Sequence, residues 1–307
     1  MRRWVKHPTK AVEFVGGNAG WMLLRVLEFV QLKDATVFHD HLYGIYGILE
    51  TLKPHFPQLR LPEVDYSRPA ARIFTELTTF IIESTGNTAV LDSVLARSRV
   101  PGAPTWVCGF HNVWTPKYSP PLDDPSDEPV VSADGLRLSF TGYIAAAIWI
   151  VVPGFKKKGS REMPMLHDGF RQIEDHIVEP VAKRFNLEGK AVRRRVCRGN
   201  DALVEYYEDL RLDQSGWLTD EDPNLYSLLM ITFGSVKFVT DRGHIGISHI
   251  DMTPEVGDYL CYRKGADQPI ILHQVSSGTY QVIGPPAWFV ENSFHSRCQR
   301  WYRVTIE

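Results

Sequence analysis

The stretch from Phe238 to Gly284 reads FVTDRGHIGISHIDMTPEVGDYLCYRKGADQPIILHQVSSGTYQVIG. Short apolar runs alternate with turn residues. Tyr259, Cys261 and Arg263 fall on one side of an extended segment, and Leu260 and Tyr262 on the other. Lys264-Gly265-Ala266-Asp267 supplies a turn, Pro269 to Gln274 a second strand, Ser277-Gly278 another turn, and Tyr280 to Ile283 a third strand. Glycine and Asp/Asn-Gly punctuation between alternating runs is the mark of an antiparallel meander. The expectation is a small twisted, barrel-like sheet in the C-terminal part of the chain.

Upstream, the spacing turns helical. Residues 21–32 are apolar on nearly every side, with Arg25, Glu28 and Gln31 as the polar stripe, which predicts a largely buried helix. Asp40 to Leu52 is read as a second helix, stopped before Pro54. Ser67 suits an N-cap and Pro69 an early helical position for a helix carrying Ile73, Phe74, Leu77, Phe80 and Ile81 on its core face, ended by Gly86-Asn87. A short helix is read over Thr88 to Arg97. Residues 115–135, rich in Pro and Asp, read as a mobile flap or linker. Leu136, Leu138 and Phe140 alternate as a strand that leads into an apolar run at 143–152, a buried strand or core helix.

Leu166 to Leu187 reads as a helix that Pro180 kinks or splits. Arg193-Arg194-Arg195 are placed before a helix over Asn200 to Leu210, and Asp222 is read as the cap of another. Together these predict an α+β fold, a helical N-terminal half packed on a C-terminal antiparallel meander. The division expected is a helical lobe at 1–114, the 115–135 segment, and an α+β lobe at 136–307, which can also form one compact domain.

The meander also carries a resemblance. Phe238, Thr240, Gly243, Gly246, Gly257-Asp258, Gly265-Ala266, Pro269, Leu272, Tyr280 and Gly284 occur in an order similar to the C-terminal region of fungal heterokaryon-incompatibility (HET) domain proteins. Asp40 to Ile48 (DHLYGIYGI) resembles that family's "RDKVYALLGL" block, and Asp65-Tyr66-Ser67 followed by Pro104-Thr105-Trp106-Val107 resembles its "DYS … PSWV". The "ALSYVWG"-like segment that defines the signalling half of those proteins does not occur in this sequence. The resemblance implies either a partner-binding role in non-self recognition or a scaffold put to another use.

Bulk properties exclude several classes. Of 307 residues, 44% are hydrophobic and 23% charged, with a formal net charge of −2 and both signs interspersed, so no global field selects nucleic acid. The longest apolar run is about half the ~20 residues that span a bilayer. With no secretory signal and four well-separated cysteines, the reading is a cytoplasmic protein with reduced thiols, and its oligomeric state is left open.

Standard catalytic motifs (GxSxG, Walker loop, HExxH, GxGxxG) are absent, and nothing strand-like precedes the glycine-rich Gly16 to Gly20, so no cofactor is expected. His39-Asp40-His41 suggests metal, yet adjacent helical residues point about 100° apart and cannot close on one ion. Asp40 is read as a structural carboxylate, and no metal is assigned. His249 and Asp251 share a face if extended, with His244 opposite, and Asp258 reads as a turn-stabilising carboxylate.

The run Trp106-Val107-Cys108-Gly109-Phe110-His111-Asn112-Val113-Trp114 concentrates rings and donors beside the 115–135 segment. It reads either as a hydrophobic plug or as the wall of an apolar pocket. A second aromatic group, with Trp288, follows the meander. The pocket reading makes the chain a cofactor-free cyclase that shapes a small hydrophobic polyene for ring closure, of the intramolecular Diels–Alder type. His41, Tyr43 and His111 would then be catalytic donors, with Tyr46, Trp106, Phe110, Trp114 and Trp288 holding substrate. The alternative is a non-catalytic HET-like interaction protein.

Overall fold

A computed structural model of the chain describes residues 15–30, 37–94, 99–110, 122–154, 172–197, 235–248, 252–266, 268–290 and 300–307. They divide into two compact units, one of 1–145, 261–285 and 299–307, the other of 146–260 and 286–298. The expected helices over 200–210 and from Asp222, together with His249 and Asp251, lie outside the described residues.

The first unit opens with helix α1 (Ala19–Val30). Asn18 caps it, its side-chain oxygen accepting the Trp21 N–H at 3.0 Å. Short helices α2 (Asp40–Tyr43) and α3 (Tyr46–Leu52) follow. The single helix expected over 40–52 is therefore broken at Gly44-Ile45, where the Gly44 N–H donates to the Asp40 carbonyl at 3.0 Å and the Ile45 N–H to the Leu42 carbonyl at 3.1 Å. Helix α4 (Ala70–Thr85) ends at Gly86 in the left-handed conformation. Its N-cap is Pro69 rather than Ser67, because the Ser67 hydroxyl bonds the Asp65 carboxylate instead.

Ile73, Phe74, Leu77, Ile81 and Ile82 of α4 are buried against α1, which approaches closely at Gly20. A Cβ there would lie 2.9 Å from Thr85 Cγ2. The short helix expected at 88–97 is a 3-10 turn over Ala89–Ser93, and residues 95–98 are outside the described set.

The strands, in chain order, are β1 (Val130–Val131), β2 (Leu138–Val152), β3 (Lys237–Thr240), β4 (Ile245–Ser248), β5 (Tyr259–Arg263), β6 (Ile270–Ser276), β7 (Thr279–Gly284), β8 (Pro286–Val290) and β9 (Tyr302–Ile306). The apolar run at 143–152 is thus strand, not helix. In the first unit, β5, β6, β7, β9 and the start of β2 form a closed five-stranded barrel. A closed ring of five strands needs an odd number of parallel neighbours, and β7 beside β9 supplies one. Phe140 pairs with Val304 and Leu272 with Val282, and their side chains fill the same hydrophobic core as α1 and α4. The α+β class read from the sequence is the observed one.

The segment read as a mobile flap is pinned where it is described. Residues 130–131 pair with β2, Asp127 ion-pairs with Lys264, and Arg303 donates to the Glu128 carbonyl at 2.9 Å. Residues 115–121 lie outside the described set.

The second unit joins the end of β2 to β3, β4 and β8, all antiparallel, with α5 (Glu179–Phe185) and α6 (Gly189–Val196). Arg193 to Arg195 lie within α6, a helix the sequence pattern did not predict, while the helix expected after them lies outside the described residues. A π-turn over Glu174–Val178 precedes α5, upstream of Pro180. Asp258 does brace its turn, taking the Glu255 N–H at 2.7 Å. Among the described residues no helix is long and apolar enough to cross a membrane.

Candidate functional site

Tyr43 and Tyr46 sit on either side of the break between α2 and α3, so both rings project toward the extended segment that follows α3. Tyr43 is buried, and its hydroxyl oxygen accepts the Asp65 N–H at 3.1 Å. Its one hydrogen is offered to the Glu63 and Asp65 carbonyls, at 3.1 and 3.2 Å. The Tyr46 hydroxyl donates to the Pro62 carbonyl, and burial raises its pKa well above the ordinary phenol value. His39 donates from Nε2 to the Arg68 carbonyl at 2.8 Å, and Asp40 accepts the Tyr66 hydroxyl at 2.6 Å. Four ring or carboxylate side chains around residue 40 thus hold the segment 62–68 in place.

Trp106 does the same from the other side. It is fully buried, and its indole N–H donates to the Leu136 carbonyl at 3.3 Å. Cys108, also fully buried, sends its thiol to the Ser93 carbonyl, and burial pushes its pKa up to about 12. Phe110 is buried too, stacked at 6.2 Å on Phe74, with a positive φ of 57° that non-glycine residues seldom adopt. Where it is described, the aromatic run at 106–114 is core. His111 and Trp114 lie outside the described residues, as does the Trp288 side chain. His41 stands edge-on to Phe38, and no three His, Cys, Asp or Glu groups converge among the described residues.

Two of the residues held in this way, Pro62 by Tyr46 and Leu136 by Trp106, line a groove of about 820 Å³ in the first unit. One side is the outer face of α4, from Arg72 through Thr75, Glu76, Thr79 and Phe80 to Glu83. Opposite run Arg60 to Pro62 and the β1–β2 connection, Val131 to Leu136. Gly135 makes this approach possible: its φ is 71°, and a Cβ would lie 3.3 Å from Thr75 Cγ2. Asp134 fixes the turn by accepting the Leu136 N–H at 3.0 Å and the Ser132 hydroxyl, bonds that lower its pKa, the hydroxyl's most.

The groove is amphipathic. Leu61, Pro62, Ala71, Phe80 and Leu136 give it apolar surface, and Leu136 is 55% exposed. Arg72 and Glu76 pair with one another at 3.3 Å, whereas Arg60 and Glu83 have no ion-pair partner among the described residues. Among its described lining residues there is no histidine, cysteine or lysine. Such a surface can bind; its acidic groups are Glu76, which pairs with Arg72, Asp134, which braces its own turn, and Glu83.

The structure therefore makes Tyr46 and Trp106 supports behind one groove rather than its lining, with Tyr43 bracing the chain just past Pro62. The residues that do line it escaped the sequence reading. The repeated threonines Thr75 and Thr79 on the far side of the α4 core stripe were the available signal, together with Phe80, which spans both faces. No family model, curated protein or solved structure matches the chain.

Proposed function

We propose that this chain is a non-catalytic interaction module, and that the α4 groove docks an extended peptide segment of a partner protein. The observation that carries this reading is the groove's chemistry: an apolar floor flanked by Arg60 and Glu83, charges of opposite sign with no ion-pair partner among the described residues, and no histidine, cysteine or lysine in its described lining. A peptide with spaced apolar side chains between an acidic and a basic residue complements it. The resemblance to the C-terminal region of HET proteins supports a role in non-self recognition. The competing proposal, a cofactor-free cyclase, draws on the aromatic run at 106–114, whose described members are core.

The experiment uses a photo-crosslinking amino acid placed at Thr79, in the groove, and at Val275, an exposed position on β6. Capture of one partner by the Thr79 variant alone, abolished by Leu136→Asp with thermal stability unchanged, supports the proposal. Equal capture at both positions, or turnover of a linear polyene by the same preparation, overturns it.

A further inference from the structure

Two backbone irregularities meet at a second groove, of about 610 Å³, in the second unit. One is a β-bulge. Ile148 pairs with Thr240 and Ile150 with Val239, leaving Trp149 as the extra residue on β2. A bulge of this kind re-aims its side chain, and Trp149 lines the groove together with Ile150 to Gly154. The other is the π-turn over Glu174–Val178, which carries Asp175 and His176 into the opposite wall, with Gln172 and Pro180 beside them.

The π-turn has a chemical consequence for the wall. Glu179 gives its N–H to the Glu174 carbonyl. The next donor in that register belongs to residue 180, and proline has none. The Asp175 carbonyl is thus left without a helical donor, beside the carboxylate of the same residue. The side chains of Gln172, Asp175 and His176 have no partner among the described residues, and all three are exposed. Behind them the turn is anchored by Glu174, which is paired with Arg193 through two hydrogen bonds and is nearly buried. Arg184 lies 4.2 Å from the centre of the Trp149 ring, fixing the indole at the groove's edge.

We infer that this groove binds a small cationic amine with an apolar body. The ammonium would donate to the Asp175 carboxylate and carbonyl and to the Gln172 amide oxygen, while a ring or alkyl body lies along Trp149, Val152 and Pro180. The wall supplies mainly acceptors, so an ammonium completes it, whereas a carboxylate of the same shape meets the charge of Asp175. The size of the groove suits a ligand of this class. This inference does not depend on the α4 groove, which belongs to the other unit.

The test pairs phenethylamine with phenylacetate, equal in shape and opposite in charge. Each is titrated into the ¹⁵N-labelled full chain, with Trp149→Phe identifying the Trp149 indole resonance. Phenethylamine is expected to move that resonance saturably in the millimolar range while phenylacetate leaves it unmoved. Asp175→Asn should weaken the amine about tenfold without changing thermal stability. Should that variant alter the fold, Pro180→Ala serves instead: it restores a donor to the turn and should weaken the amine likewise. An equal response to both probes, no saturable shift, or full affinity in the deciding variant overturns the inference.

Discussion

The hydroxyl oxygen of Tyr43 accepts the backbone N–H of Asp65 at 3.1 Å, across 22 residues of sequence. The side chain of one short helix thereby fixes the main chain immediately beyond Arg60 to Pro62, one bank of the α4 groove. Asp65 completes the arrangement by accepting the Ser67 hydroxyl and N–H, and these bonds hold its carboxyl below the usual range.

Tyr43→Phe removes the hydroxyl and leaves the Asp65 N–H without its acceptor. A loss of about 1–2 kcal/mol is expected, read from denaturant unfolding against wild type. An unchanged midpoint would mean that water replaces the phenol.

Asp92 and Arg263 form an ion pair in the first unit, with the Arg263 side chain wholly buried and also donating to the Thr88 and Gln268 carbonyls. Removing the carboxylate strands a buried guanidinium. Asp92→Ala should therefore cost about 3–5 kcal/mol, and Asp92→Asn, which keeps an acceptor, distinctly less. Thermal unfolding of the two variants side by side provides the check.

Gly246 of β4 faces the ring of Phe238, and a Cβ would sit 2.2 Å from the ring's Cζ. The Phe238 ring is fully buried, so it has nowhere to retreat. Gly246→Ala should destabilise the second unit by about 2–3 kcal/mol or more. Hydrogen exchange at Phe238 and Ile247 reports it locally.

Burial lowers the ammonium of Lys237 to about 8, from an ordinary 10.5. Between those values the unfolded chain keeps a proton that the native state has shed, so this group makes stability rise with pH across the window and adds no slope below it. Lys237→Met should raise the melting temperature at pH 7 and flatten the rise between pH 8 and 10.5. A wild-type profile identical to the variant's would contradict this assignment.

The meander was legible because its code is local: Gly265 and Gly278 lie in turns with positive φ, flanked by alternating runs. Closure of the barrel was not, since it pairs Phe140 with Val304, residues that no short-range pattern connects. The α4 core stripe was read correctly, but its cap was not. Ser67 is a suitable cap by type, and only the structure shows its hydroxyl already engaged by Asp65. At the site, Tyr43 was expected as a donor and Tyr46 and Trp106 as rings against substrate, but each commits its polar atom to main chain. The groove they support depends on α4 meeting the β1–β2 connection, a contact set by tertiary packing.

The most direct test of the binding-module account is calorimetric. A synthetic peptide from the segment crosslinked at Thr79 is titrated into wild type and Thr79→Arg. The account predicts at least about tenfold weaker binding to the variant, or roughly 1.4 kcal/mol, with both proteins equally stable. Equal affinity for the two proteins would contradict it.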